Sequence, residues 1–232
     1  MADLYFTKVP VITIDGPSGS GKGTVASILA NQLGWHLLDS GSLYRLTALA
    51  GQIHGVDLAD EENLKVLAGH LDVQFVAATE SESAKIILEG EQVERTIRSE
   101  EISLLASKVA ALTQVRQALL ERQRAFAESP GLVADGRDMG TIVFPKAPLK
   151  IFLTASAEVR AERRYMQLKE SGFSANIDQI LEDICARDER DMNRAAAPLK
   201  PANDAIIIDT SRLTVTEVVS KVMVEVEIRG LL

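Results

Sequence analysis

A chain of 232 residues, 46% hydrophobic and 25% charged, is long enough for one substantial core and a smaller appended element. Its net charge of −8 argues against general binding along a nucleic-acid backbone, and the lone Cys185 excludes an internal disulfide and a cysteine-based zinc site. The opening MADLYFTKVP lacks the apolar run of a secretory signal and no stretch is long enough to span a bilayer, so a soluble cytoplasmic protein without nucleic-acid or membrane partners is expected.

Val9 to Asp15 is a short β-branched run of the kind buried on both faces in parallel sheets, with Pro10 tolerated at its start. GPSGSGKGT follows, and helical spacing then places Val25, Ile28, Leu29 and Leu33 on one face, with Gly34 as the stop. Strand, glycine-rich loop and helix start, in that order, suit the wrapping of backbone amides around a polyphosphate. Lys22 sits where it can reach the β- and γ-phosphates, and the helix aims its positive end at them. The pattern G-x-x-x-x-G-K is met, but Gly23 stands where a magnesium-binding hydroxyl is usual, and Thr24 comes after it. Mg²⁺ is therefore expected to be held through the nucleotide's phosphates and water, near Thr24 and Asp135.

His36 to Asp39 reads as a second strand and Ser42 to Gln52 as a helix. Three short runs, Leu71–Val76, Ala84–Leu88 and Gln92–Ile97, joined by the polar turns ATESES and EGEQ, read as an antiparallel meander. A helix around Leu104 to Arg124 is expected, with Ser129, Pro130 and Gly131 interrupting the chain beyond it. Further strands are expected at Leu132–Asp135, Leu149–Thr154 and Ala205–Asp209, and helices at Glu158–Glu170 and Thr214–Val224. Strands alternating with helices predict an α/β fold with a parallel sheet and right-handed crossovers.

Three further segments carry the parts of a second phosphate site. In DSGSLYR, Arg45 can fork onto a phosphate dianion and Tyr44 can meet a sugar or base, although Ser40 or Ser42 also suits a plain helix cap. In ADGRDMGT, Arg137 and Asp138 diverge from the end of a strand, one suited to a phosphate and the other to a base. Ordinary surface ion pairs are the bland alternative for these two residues. In ARDERDMNRAAAP, the spacing of Arg187, Asp191 and Arg194 puts all three on one helical face, with Arg190 beside it. Guanidinium groups on one mobile helix suit the charge of a transferring phosphoryl group, while a salt-bridged surface helix is the bland alternative.

GPSGSGKGT, LLDSGSLYR, ADGRDMGTIVFP and RDERDMNRAAAPL, in this order, resemble the bacterial cytidylate kinase family over nearly the whole chain, meander included. The resemblance implies a three-layer P-loop fold with a central parallel five-stranded sheet, a small inserted antiparallel three-stranded element at the monophosphate side, and a short helical lid. It divides the chain into core at 1–39, a monophosphate-binding region at 40–110 with its insert at about 70–98, core at 111–156, lid at 157–197 and core at 198–232. It implies transfer of the ATP γ-phosphoryl group to CMP or dCMP with Mg²⁺, by a monomer of pyrimidine nucleotide metabolism. Gly16, Pro17, Ser18, Gly19, Ser20, Gly21, Lys22, Gly23 and Thr24 match the family's grip on ATP. Arg45, Arg137 and Arg194 match arginines at the acceptor phosphate and transferring group, and Ser107, Arg116 and Asp138 match the cytosine-recognising set. Arg187 and Asp191 match residues near the pentose, and Ser40 and Tyr44 resemble residues lining the acceptor site. Lys22, Arg137, Arg187 and Arg194 are then the expected catalytic cations. The rivals are an adenylate-type or uridylate-type kinase, a small-metabolite kinase, and a nucleotide-binding switch, which lacks the N-K-x-D motif of a guanine reader.

Overall fold

The computed structural model describes residues 9–76, 85–170, 172 and 174–232. They fall into two compact units, one joining the chain up to Asp39 with Gln123–Leu232, the other comprising Ser40–Arg122.

The first unit is built on five parallel strands. β1 (Val11–Asp15) lies at the centre, flanked by β6 (Leu132–Gly136) and β7 (Leu149–Thr154), with β2 (His36–Asp39) and β8 (Ile206–Asp209) at the edges, giving the order β2-β6-β1-β7-β8. Every residue of β1 and β6 is buried, as central strands of a parallel sheet covered by helices should be. Helices α1 (Lys22–Leu33) and α8 (Val215–Ile228) cover the sheet with Val25, Leu29, Val218 and Val222, packed on Ile12, Ile14 and Ile151. Gly34 ends α1 in the left-handed region and Thr214 opens α8 with a capping box to Glu217. Helices α6 (Ala157–Glu170) and α7 (Ile177–Asn193) pack on each other in the same unit. Register sets the chemistry: Asp15 pairs with Gly136 and Asp39 with Asp135, so three strands deliver carboxylates at the same edge of the sheet.

Gly131 shows how tightly β6 is entered. A Cβ there would lie 2.3 Å from Trp35 Cδ2, and the Gly131 carbonyl is pinned by the His36 N–H at 2.9 Å. Gly131→Ala is expected to cost about 1–3 kcal/mol through overpacking, read as a lower melting temperature followed by the fluorescence of the sole tryptophan. An unchanged melting curve would show that the ring moves aside freely.

The second unit contains α2 (Ser40–Ile53), α3 (Glu61–Gly69), an antiparallel sheet of β3 (Val73–Val76), β4 (Lys85–Leu88) and β5 (Glu91–Gln92), then α4 (Glu100–Val109) and most of α5 (Thr113–Ala125). The ATESES turn and Ala84 lie outside the described residues. Two expectations need correction here. The strand expected over Gln92–Ile97 stops at Gln92, and a 3₁₀ turn (Thr96–Arg98) follows with Ile97 buried. The cause is local: Val93 N–H still donates to the Ile86 carbonyl, but the Glu94 side chain takes the Ile86 N–H at 2.5 Å and displaces further pairing. The helix expected around Leu104–Arg124 is two helices. Tight turns close α4 after Val109, and the Arg116 side chain reaches back to the Ala110 carbonyl at 3.0 Å, satisfying an acceptor that a continuous helix would have used. Helix α3, capped by Asp60, has no counterpart among the elements expected from the sequence. Among the described residues no helix is long and apolar enough to cross a membrane.

Candidate nucleotide-binding site

At the end of β1 the chain turns through Gly16, whose φ of +148° and a would-be Cβ only 2.0 Å from the Leu153 carbonyl oxygen exclude any side chain. The loop that follows is closed internally. Ser20 Oγ donates to the Pro17 carbonyl at 3.0 Å, and Lys22 Nζ donates to the same carbonyl at 2.8 Å. Gly21 caps α1 without a side chain, so the first amides of the helix face the loop with no internal carboxylate or hydroxyl as cap. Two outside groups hold the loop in place. Thr210 Oγ1, beyond β8, donates to the Ser20 carbonyl at 3.1 Å, and Arg160 Nη1, on α6, donates to the Ser18 carbonyl at 3.0 Å.

Lys22 is buried, and its charge is contested. Burial, then the nearby Arg137 and Arg187 guanidinium groups, press its pKa down to about 7, while Asp135 and Asp15 pull it upward. The same interactions show that Lys22, Arg137, Arg187 and Asp135 share one neighbourhood. Asp135 lies close to the loop itself, since a Cβ on residue 23 would stand 3.3 Å from its Oδ2. Glycine after the lysine thus leaves room for a carboxylate. A carboxylate beside a polyphosphate loop is the hard oxygen donor that suits Mg²⁺. Among the described residues no three His, Cys, Asp or Glu side chains gather as a metal cage.

Two ion pairs, the first part-buried and the second buried, order the rest of this unit's site. Arg137 Nε donates to Asp191 Oδ2 at 2.9 Å, and Arg194 Nη2 lies 3.6 Å from Asp138 Oδ1. Burial opposes the ionised form of Asp191, but Arg137, its hydrogen bond, and the charges of Arg187 and Arg194 outweigh it and hold the carboxyl below its usual range. Arg137 likewise is raised despite burial, by Asp191 first and then Asp135 and Asp188. Arg194 corrects the single-face expectation. Helix α7 ends at Asn193, and Arg194 is its extended C-cap, with Nε donating to the Ala197 carbonyl at 2.6 Å. Arg187 and Asp191 remain one turn apart on the helix.

In the second unit, α2 carries Ser40, Tyr44 and Arg45, with Arg45 Nη2 donating to Ser42 Oγ at 2.8 Å. The Arg116 guanidinium stacks over the Tyr44 ring, 5.5 Å from its centroid. Ser107 is buried on α4, and Arg116 is buried on α5. The structure therefore brings Tyr44 and Arg116 together, although nothing in their spacing announced it.

Two buried charged residues carry no sequence signal of their role. Asp15 reads as the polar end of a strand, and Arg160 as one cation of an arginine-rich helix. Arg160 is 4% exposed and forks onto Asp188, Nη1–Oδ1 at 3.1 Å and Nη2–Oδ2 at 2.5 Å, while its Nε donates to the Ala155 carbonyl at 3.0 Å. The one available hint is position: both lie at or just past the carboxyl end of a strand, where such sheets bind ligands.

The family model described as "Cytidylate kinase" matches residues 12–228. The cytidylate kinase of Pseudomonas savastanoi pv. phaseolicola is 62% identical over 224 residues, covering 97% of this chain and 98% of that protein. The cytidylate kinase of Azotobacter vinelandii is 64% identical over 221 residues, covering 95% and 96%. That of Shewanella frigidimarina is 62% identical over 214 residues, covering 92% and 93%. With the phosphate loop, the arginine pairs and this similarity along nearly its whole length, the chain belongs to the cytidylate kinase family of nucleoside monophosphate kinases.

Proposed function

We propose that the chain transfers the γ-phosphoryl group of ATP to CMP and dCMP, giving CDP or dCDP and ADP, as a cytoplasmic monomer of pyrimidine nucleotide metabolism. The observation that carries this reading is the gathering of Lys22, Arg137, Arg187 and Asp135 beside the phosphate loop. Two guanidinium groups in addition to the loop lysine suit the charge of an acceptor phosphate as well as that of the donor. The amides of Gly16 to Thr24 and Lys22 hold the donor phosphates. Arg45 and Arg137 take the acceptor phosphate, and Arg187 and Arg194 stabilise the charge on the transferring group. The acceptor oxygen attacks in line and, being already ionised, needs no general base. Mg²⁺, with Asp135 and Thr24 as its nearest protein partners, would neutralise phosphate charge. The α6–α7 segment excludes water when it closes and so limits idle ATP hydrolysis.

Selectivity for cytosine falls to Asp138, accepting from the exocyclic amine, and to Arg116 and Ser107, donating to the ring nitrogen and carbonyl. Asp191 and Arg187 address the pentose, and Ser40 and Tyr44 complete the acceptor side. Uracil would leave such groups mispaired, at about 1–3 kcal/mol each. Asp138→Ala is accordingly expected to lower the CMP-over-UMP ratio of kcat/KM by about tenfold, with KM for ATP near wild type. A retained ratio would remove Asp138 from base reading. The reaction itself is tested by ³¹P NMR of the protein with Mg·ATP and CMP. Coupled growth of CDP and ADP resonances is expected, and inorganic phosphate as the main product would contradict transfer.

A further inference from the structure

We propose that Asp15 is a positioning residue that fixes the Met139–Val143 turn in the form from which its N-cap residue, Asp138, meets the acceptor base. The inference rests on the reading of Asp138 as the base-reading carboxylate. Asp15 ends the central strand β1 and is 4% exposed, with its carboxylate facing backbone amides of the neighbouring segment. Both of its oxygens are used, Oδ1 accepting from Met139 N–H at 2.8 Å and Oδ2 from Gly140 N–H at 2.8 Å. Those amides open a single wide helical turn, Met139–Val143, whose N-cap is Asp138 at φ −147° and ψ 23°.

An aspartate at an N-cap normally folds its own carboxylate back onto the amides of the first turn. Asp138 makes no such bond. Asp15 does the capping from the neighbouring strand, and Asp138 Oδ1 instead lies 3.6 Å from Arg194 Nη2 in a buried pair. The arrangement has an electrostatic cost. Burial, aided by the neighbouring Asp138 and Asp135 carboxylates, pushes Asp15 up to about 7 in spite of the two amide bonds. Gly140 completes the device, because a Cβ there would meet Thr13 Oγ1 at 2.8 Å and Asp15 Oδ2 at 3.3 Å and push the turn off its acceptor.

The test compares Asp15→Asn, Gly140→Ala and Asp138→Ala with wild type, measuring kcat/KM for CMP and UMP, KM for ATP, and melting temperature. Asp15→Asn keeps the volume but replaces one acceptor oxygen with a donor, and Gly140→Ala disturbs the same bond while leaving the carboxylate intact. Both are expected to lower the CMP-over-UMP ratio by about tenfold, as Asp138→Ala does, with KM for ATP near wild type. If Asp138→Ala loses discrimination while the other two keep it, the base reading stands and the role of Asp15 is overturned. If Asp138→Ala keeps discrimination, the base reading fails and carries this inference with it. A uniform loss for both acceptors with a raised KM for ATP in Asp15→Asn would assign Asp15 to the phosphate loop instead. Should Asp15→Asn fail to fold, Gly140→Ala alone decides between these outcomes.

Discussion

Lys22→Met is expected to lower kcat by about 10³-fold, the upper range for removing one preorganised charge donor from a developing transition state, while leaving the fold intact. The side chain is 6% exposed and bonded to the Pro17 carbonyl, so its ammonium is stored in a place that burial and two arginines make unfavourable. Incoming phosphate charge reverses that balance, and the lysine is most strongly attracted when charge peaks on the transferring group. Methionine keeps the length and apolar stem and removes the charge. Since a buried, poorly compensated cation is lost, the unliganded melting temperature is expected to hold or rise. Steady-state ADP formation with saturating CMP measures the first effect, and calorimetric melting the second. Near-normal turnover would exclude Lys22 from transition-state stabilisation.

Arg160→Ala is expected to destabilise the first unit by about 3–5 kcal/mol, because it strips the partner from a largely buried carboxylate. Asp188 is 13% exposed at its side chain and receives two guanidinium bonds, while the Ser18 and Ala155 carbonyls lose donors at the same stroke. For a protein of this size the loss corresponds to a fall in melting temperature of roughly 6–20 °C. The Ser18 carbonyl lies in the phosphate loop, so KM for ATP is expected to rise as well. Replacing both partners by apolar residues, Arg160→Met with Asp188→Leu, should recover much of the stability, since the main penalty is the orphaned charge. It should not recover KM for ATP, which depends on the bond to Ser18. A single-mutant melting point within about 2 °C of wild type, the scale of one weak surface contact, would show that Asp188 finds another partner.

The phosphate loop and the five core strands are legible in the sequence because their determinants are local. A buried β-branched run, glycines at a tight turn and a helix start suffice, all within one short stretch. Features that depend on distant partners are not legible. Nothing around Asp15 says that its carboxylate caps a turn 124 residues later, and nothing around Arg160 names Ser18 or Asp188 as partners. Side chains substituting for backbone account for the other departures. Apolar spacing runs on through Leu112, yet Arg116 takes the Ala110 carbonyl and two helices result. Alternation runs on through Ile97, yet the Glu94 carboxylate ends the strand pairing. Helical phase likewise overextends α7, since Arg194 leaves the helix and bonds the Ala197 carbonyl, with Ala197 itself at φ +51°.

The central claim is that this chain is a kinase whose second substrate is a cytosine nucleotide. Its most direct test is the rate of ADP formation from Mg·ATP with CMP, dCMP, UMP, AMP or no acceptor present. Fast ADP formation is predicted with CMP and dCMP, with kcat/KM at least about tenfold lower for UMP and near-background rates with AMP or no acceptor. Equal rates for all monophosphates, or a rate without acceptor matching that with CMP, would contradict it.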